Sequence, residues 1–319
     1  MKRIAAMLLA SSLMLCGCAA KTSDGKQILA SVDGLEITCD SVYEDLYDAN
    51  EDGSTLFGYI IDQLIDEKFP ITKNMKEDAK ERVESIEENF ESNYGDDYET
   101  YLESALASSG YATLDAYEEA LVQALQYTEF LKDYVKNNFD EVYDDYYSVA
   151  NPRMISIIKV SVSDFDSMTD DEISKLDEVE ALLNTSKKFG DIAKDYSDDD
   201  SASSKGSIGV VDSYSEIGDT YGDNVEETAL SLKEGEISGA IEGDDGYYFI
   251  YCTSTSKKKI KKELSSVDIE SPLLTYDDYL VYLAYNSYDI TINDKTLAKK
   301  IKTYVSDALK DREEERSDD

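Results

Sequence analysis

Histidine and tryptophan are both absent from this 319-residue chain. Without an imidazole there is no Cys–His nucleophile and no Cys/His zinc site. Cysteine is scarce, with four residues and no Cys-x-x-Cys pair. Cys16 and Cys18 lie at the very start, which leaves Cys39 and Cys252. These two fall in segments that read as different domains, so the expectation is two buried free thiols rather than a bridge. No later apolar run reaches the length of a spanning helix. Basic residues are outnumbered: 31 Lys and Arg face 70 Asp and Glu, for a formal net charge of −39. That balance sets nucleic acid aside as a partner and disfavours lying flat on an anionic lipid surface. It fits a protein that avoids sticking, and it fits an organism-wide acidic bias equally well. Self-repulsion of this size weakens the fold at low salt. Neither Asp198-Asp199-Asp200 nor Asp144-Asp145 has the spacing of an EF-hand loop. Both read as solvated or capping residues, so neither a metal nor another cofactor is expected. Tyrosine, with 25 residues, dominates the aromatics. It packs while its hydroxyl stays wet, which suits an amphipathic groove for unfolded polypeptide and small cores alike.

What is present begins with a targeting segment. Lys2 and Arg3 give a positive start and Ile4 to Leu15 a short apolar run, too short for a comfortable membrane span. Leu15-Cys16-Gly17-Cys18 resembles a bacterial lipobox. That resemblance implies a signal peptide over 1–18, lipidation of Cys18 and an extracytoplasmic protein anchored in the cell membrane. Diacylglycerol would give Cys18 the two chains that stable anchoring needs.

A polar tether, 19–27, leads into Ile28–Thr38, which reads as a β-hairpin about Asp33-Gly34. A helical region follows to about residue 147. Met75, Ala79, Val83, Ile86, Phe90 and Tyr94 draw one apolar stripe. Leu114, Tyr117, Leu121, Leu125, Thr128, Leu131 and Val135 draw another. Each is a packing surface, either core or a groove. Asn151-Pro152 marks a boundary. Beyond it the pattern gives a strand over 154–162, helices over 170–183 and 188–195, and a loop at 198–206. A short strand over 208–211, a short helix over 226–232 and a closing strand over 246–253 complete the order. That fits a compact α+β domain with an antiparallel sheet. The basic run 257–262 reads as a solvated linker or strand end. Helix resumes over 276–285. Ile290, Ile292 and Asp294 read as a short strand and an N-cap, and Leu297, Ile301, Val305 and Leu309 stripe a last helix. Residues 310–319 carry no apolar side chain and are expected to fray.

Within the middle segment Phe189, Ile192, Ala193, Tyr196, Ser197, Gly206, Gly209, Leu232, Gly235, Glu236, Ser238, Gly246 and Tyr247 carry the spacing of a parvulin-type prolyl isomerase. Together with the lipobox start and the flanking helices, the chain resembles the PrsA-type extracytoplasmic foldases of Gram-positive bacteria. The resemblance implies a mostly helical, SurA-like chaperone module built from 19–150 and 257–319, with a parvulin-like domain over 151–256 inserted between them. It implies unfolded or nascent secreted polypeptides as partners, and it admits a homodimer.

The resemblance also assigns residues. Asp199 falls at the loop position that is Cys or Asp in active members. Ile157 and Tyr248 stand in the two histidine seats. Ile208, Tyr221 and Val225 fall on the wall of the proline pocket. Rotation about a prolyl bond needs no proton transfer, only a pocket that favours the twisted amide. With both imidazoles replaced, the expectation is a foldase with weak or lost isomerase activity. The alternative is a non-catalytic surface scaffold that reuses the fold.

Overall fold

The computed structural model describes residues 20–32, 34–42, 45, 53–266 and 272–316. Cys18, the signal segment and Asp33 of the expected turn lie outside the described residues. Contacts divide the chain into two units. One comprises residues to 64 with 290–310, the other 65–289 with 311–319.

In the first unit, β1 (Ile28–Val32) and β2 (Leu35–Thr38) pair antiparallel with Val32 opposite Leu35. Gly34, at φ +84°, supplies the left-handed backbone of the turn. Helix α1 (Ser54–Lys68) starts here and buries Phe57 and Ile61; the Phe57 and Tyr304 rings lie 5.5 Å apart. Asp294 caps the last helix by accepting from the amides of Thr296 and Leu297. Residues 290–294 form no strand, contrary to the alternation of Ile290 and Ile292.

The second unit holds helices α2 (Lys73–Tyr94), α3 (Tyr98–Ser108), α4 (Leu114–Asn137) and α5 (Phe139–Ala150). Thr72 and Thr113 cap α2 and α4 through their hydroxyls, as the sequence S/T-cap rule requires. The apolar stripe of α4 divides. Leu131 and Val135 are buried, whereas Leu121 and Leu125 are only half-buried, and the adjacent positions Val122 and Gln126 face the core instead.

A four-stranded antiparallel sheet follows, in the order β4-β3-β6-β5. Its strands are β3 (Arg153–Ser161), β4 (Ser207–Val211), β5 (Ile241–Glu242) and β6 (Gly246–Ser254). Central β3 is apolar on both sides because both faces are covered. Ile158, Val160 and Phe249 pack under α6 (Asp170–Leu183) and α7 (Phe189–Tyr196). Ile155, Ile157, Tyr248, Ile250 and Cys252 pack on the other face, under α8 (Gly218–Tyr221) and α9 (Asp223–Ser231). Each fully buried Ile contributes on the order of 2 kcal/mol. Cys252 is buried and Cys39 only half-buried, and both are free thiols.

The basic run is not a linker. Lys257–Ser266 form helix α10, which buries Ile260 and Leu264. Its lysines reach carboxylates: Lys257 to Asp144 at 2.9 Å, Lys259 to Glu234 at 3.0 Å and Lys261 to Asp140 at 3.0 Å. The Ile260/Leu264 pair, four residues apart, was the helical signal hidden among the charges. After α11 (Leu280–Asn286), helix α12 (Lys295–Glu315) runs on to Glu315, into the segment expected to fray. Arg312 and Arg316 hold it on Asp145 and Asp277. Asp145 is therefore an ion-pair anchor rather than a solvated residue. The buried tyrosines serve cores: Tyr143 donates to the Lys257 carbonyl and Tyr146 to the Asp212 carboxylate, each at 2.6 Å. Among the described residues no helix is long and apolar enough to cross a membrane, and no acidic or thiol cluster is arranged to hold a metal.

Candidate functional site

The register of the two central strands brings together Ile157 and Tyr248, the residues expected in the two histidine seats. Ile157 lies opposite Ile250, and Lys159 opposite Tyr248. With side chains alternating along each strand, Ile157, Lys159, Tyr248 and Ile250 share one face. Val225 on α9 is buried in the same cluster, and Ile208 and Tyr221 pack half-buried against it. Five of the six residues assigned to the site from sequence thus form one apolar patch.

Asp199 completes the set from the loop. It caps the short 3₁₀ turn Asp200–Ser204 by accepting from the Ser201 amide at 2.8 Å. Its charge reaches the patch. Burial first, and then the Asp199 carboxylate, pushes the Tyr221 hydroxyl above its ordinary range; for Tyr248 burial comes first, then the bond to Asp245 and its charge, and Asp199 adds to them. Both therefore stay neutral near pH 7.

The two residues expected in those seats differ in character. Ile157 is fully buried, and its amide donates to the Gly206 carbonyl at 2.7 Å, which fixes the loop against the strand. Tyr248 is 1% exposed. Its ring meets that of Tyr221 edge to face at 5.6 Å, and its hydroxyl donates to Asp245 Oδ1 at 2.5 Å. Lys159 donates to the other oxygen of the same carboxylate. Burial raises the Asp245 carboxyl, but the bonds from Lys159 and Tyr248 outweigh it and hold the group below its ordinary value. The second seat thus keeps a polar link, already satisfied within the protein.

Lys159, Asp245 and Gly243 belong to the site and were not found from sequence. Lys159 carried a signal: it is the one charge inside an otherwise apolar run of β3, beyond Arg153 at the strand's start, and it lies on the face of Ile157. Gly243 is required by closeness. A Cβ there would stand 2.2 Å from the Tyr221 carbonyl oxygen and 2.6 Å from the Tyr248 ring.

Chemically, this is a fully buried apolar floor of Ile157, Val225 and Ile250, edged by the half-buried Ile208 and Tyr221. The surface it leaves open is apolar, at Ile208 and Tyr221, and its central residues carry no imidazole, the usual side chain of general acid–base work. Tyr248→Phe removes the bond to Asp245 and is expected to lower stability by about 1 kcal/mol in a denaturant titration. Asp245 is depressed from 3.8, so its contribution is full above that pH and is lost as the pH falls through the lower folded value. The phenylalanine variant should therefore show a smaller loss of stability on acidification than the native chain.

Comparison with known proteins finds a matching domain family and several similar proteins. A rotamase family, the PPIC-type PPIase domain, matches residues 158–254. Foldase protein PrsA of Staphylococcus aureus strain MRSA252 is 28% identical over 206 residues, covering 62% of this chain and 60% of its own. The PrsA of strain Newman matches to the same extent. The match thus spans about 60% of the length of these curated relatives. Among solved structures, PrsA from Bacillus subtilis is 23% identical over 86% of this chain and 98% of its own, with a TM-score of 0.40. Foldase protein PrsA from Streptococcus pneumoniae is 19% identical, covers 87% of this chain and 99% of its own, and has a TM-score of 0.38.

Proposed function

We propose that this chain, a PrsA-type parvulin foldase by its rotamase domain and its relatives, holds unfolded secreted polypeptides while its isomerase activity is weak or lost. Cys18 carries the lipid anchor, and the protein works at the extracytoplasmic face of the cell membrane. One observation carries the reading of the pocket. Tyr248 fills the second histidine seat, buried and bonded to Asp245, while Ile157 fills the first with no polar atom at all. Such a site offers no imidazole to the network that tunes catalysis in the family.

The test pairs two measurements on the full chain. In a cis–trans relaxation assay of a proline-containing peptide, the rate is expected to stay within about twofold of the uncatalysed one, tens of seconds at 25 °C. In an aggregation assay of a denatured secreted protein, the chain is expected to delay turbidity at near-equimolar amounts. Acceleration of tenfold or more would show that the pocket catalyses without imidazoles. No delay of aggregation would remove the holding function and leave a surface scaffold. The double variant Ile157→His, Tyr248→His should exceed the native chain in the first assay and match it in the second.

A further inference from the structure

Two adjoining cavities lie on the second unit, away from the residues of the parvulin-like pocket. One, of about 960 Å³, is lined by Phe69, Met75, Leu125, Leu131 and Leu274 among others. The other, of about 550 Å³, is lined by Ile86, Tyr117 and Leu121. Asp78 and Arg82 line both, so the two form one groove along α2 and α4. Beyond Leu114 at the helix start, the members of the α4 stripe left half-buried are Tyr117, Leu121, Leu125 and Thr128, and all four line the groove, which explains why the stripe exceeds what the core uses.

Arg82 stands apart from every other arginine among the described residues. Arg153 is buried and donates to the Leu232 carbonyl at 2.7 Å. Arg312 and Arg316 are locked on carboxylates. Arg82 makes neither a hydrogen bond nor an ion pair among the described residues, in a chain with 70 acidic side chains. The other cation of the groove, Lys132, is taken by Glu129 at 3.3 Å. Arg82 is thus the groove's unpaired cation, a planar fork suited to a carboxylate. Asp78 and Glu81 beside it repel any further acid, so a run of acids is disfavoured and a single one fits.

We propose that the groove takes a polypeptide segment with one Asp or Glu between apolar residues, its carboxylate on Arg82 and its apolar side chains on Leu121, Leu125 and Ile86. This rests on the polypeptide-holding reading and adds which segments are held.

The test uses the full chain and three labelled twelve-residue peptides, rich in Leu and Phe, with Glu, Gln or Lys at the centre. Binding is read by fluorescence anisotropy at low and high salt. The Glu peptide is expected to bind about fivefold tighter than the Gln peptide, and the Lys peptide more weakly still. High salt should narrow the difference. Arg82→Gln should abolish the preference, Arg82→Lys keep part of it and Arg82→Glu reverse it toward the Lys peptide. Lys76→Gln, which removes an exposed charge outside the groove, should leave it intact. Leu121→Asp should weaken all three peptides. Equal binding of the three, or a preference that survives Arg82→Gln, would overturn the inference while leaving the holding reading in place. Binding of none would overturn both. A dimer that Leu121→Asp dissociates, with no peptide bound, would assign the groove to a second copy of the chain and overturn the inference.

Discussion

Replacing Asp277 with alanine is expected to lower stability by about 3–5 kcal/mol, the range for breaking a buried ion pair from one side. The Asp277 side chain is 1% exposed and accepts from Arg312 Nε at 2.7 Å and Arg316 Nη2 at 2.9 Å. Asp145 takes the other ends of both guanidinium groups, with Arg312 Nη2 at 2.7 Å. Tyr276 donates to the same carboxylate at 2.8 Å. Without Asp277, two cations face one half-screened carboxylate, and the Tyr279 amide loses its acceptor as well. Burial raises the Asp145 carboxyl, but the bonds from Arg316 and Tyr276 and the two positive charges hold it below 3.8. Its contribution is present above that pH and is lost as the pH falls through the folded value. A chain ending at residue 310 should lose a similar amount. A urea titration of Asp277→Ala, Asp277→Asn and the truncated chain measures all three. If the truncated chain were as stable as the full one, the ion cluster would be surface decoration.

That cluster marks the limit of what the sequence discloses. Apolar periodicity reports what a helix buries, and it placed α2, α4, α6 and the stripe of α12. Residues 310–319 bury nothing apolar, so the same rule read them as loose. Their anchor is ionic, to Asp145 and Asp277, and no local pattern carries a pairing across so long a separation. The α4 stripe fails in a different way. Val122 and Phe130 are core while Leu121 and Leu125 line a groove, and only the neighbours of the helix decide which seam is covered.

The candidate site was more legible, because strand alternation and motif spacing both act at short range. Ile157, Tyr248, Val225, Ile208 and Tyr221 converge once the register of β3 and β6 is set, and Asp199 reaches them from the loop. The Tyr248–Asp245–Lys159 link stayed hidden. It needs both the pairing of Lys159 with Tyr248 and the turn that carries Asp245 back under the ring, and only the folded register supplies them.

Gly206→Ala is expected to be among the most damaging single-methyl changes in the second unit, lowering stability by about 3 kcal/mol or more. Gly206 sits at φ +80°, where an alanine alone costs about 1 kcal/mol. The larger part is collision: the new Cβ would stand 2.3 Å from the Ile157 carbonyl oxygen and 3.0 Å from the Ala193 Cβ. Neither neighbour can withdraw, since Ile157 belongs to the central strand and Ala193 is fully buried. The loop must lift instead, breaking the bond from the Ile157 amide to the Gly206 carbonyl and carrying Asp199 away from Tyr221. Gly209→Ala is the control. That glycine has a similar φ, +87°, but nothing within 4 Å of a Cβ, so only the backbone strain of about 1 kcal/mol remains. Thermal or urea midpoints of the two variants separate collision from strain. Equal losses would mean that the loop does not rest on the strand at Ile157, and the placement of Asp199 beside the two tyrosines would fall with it.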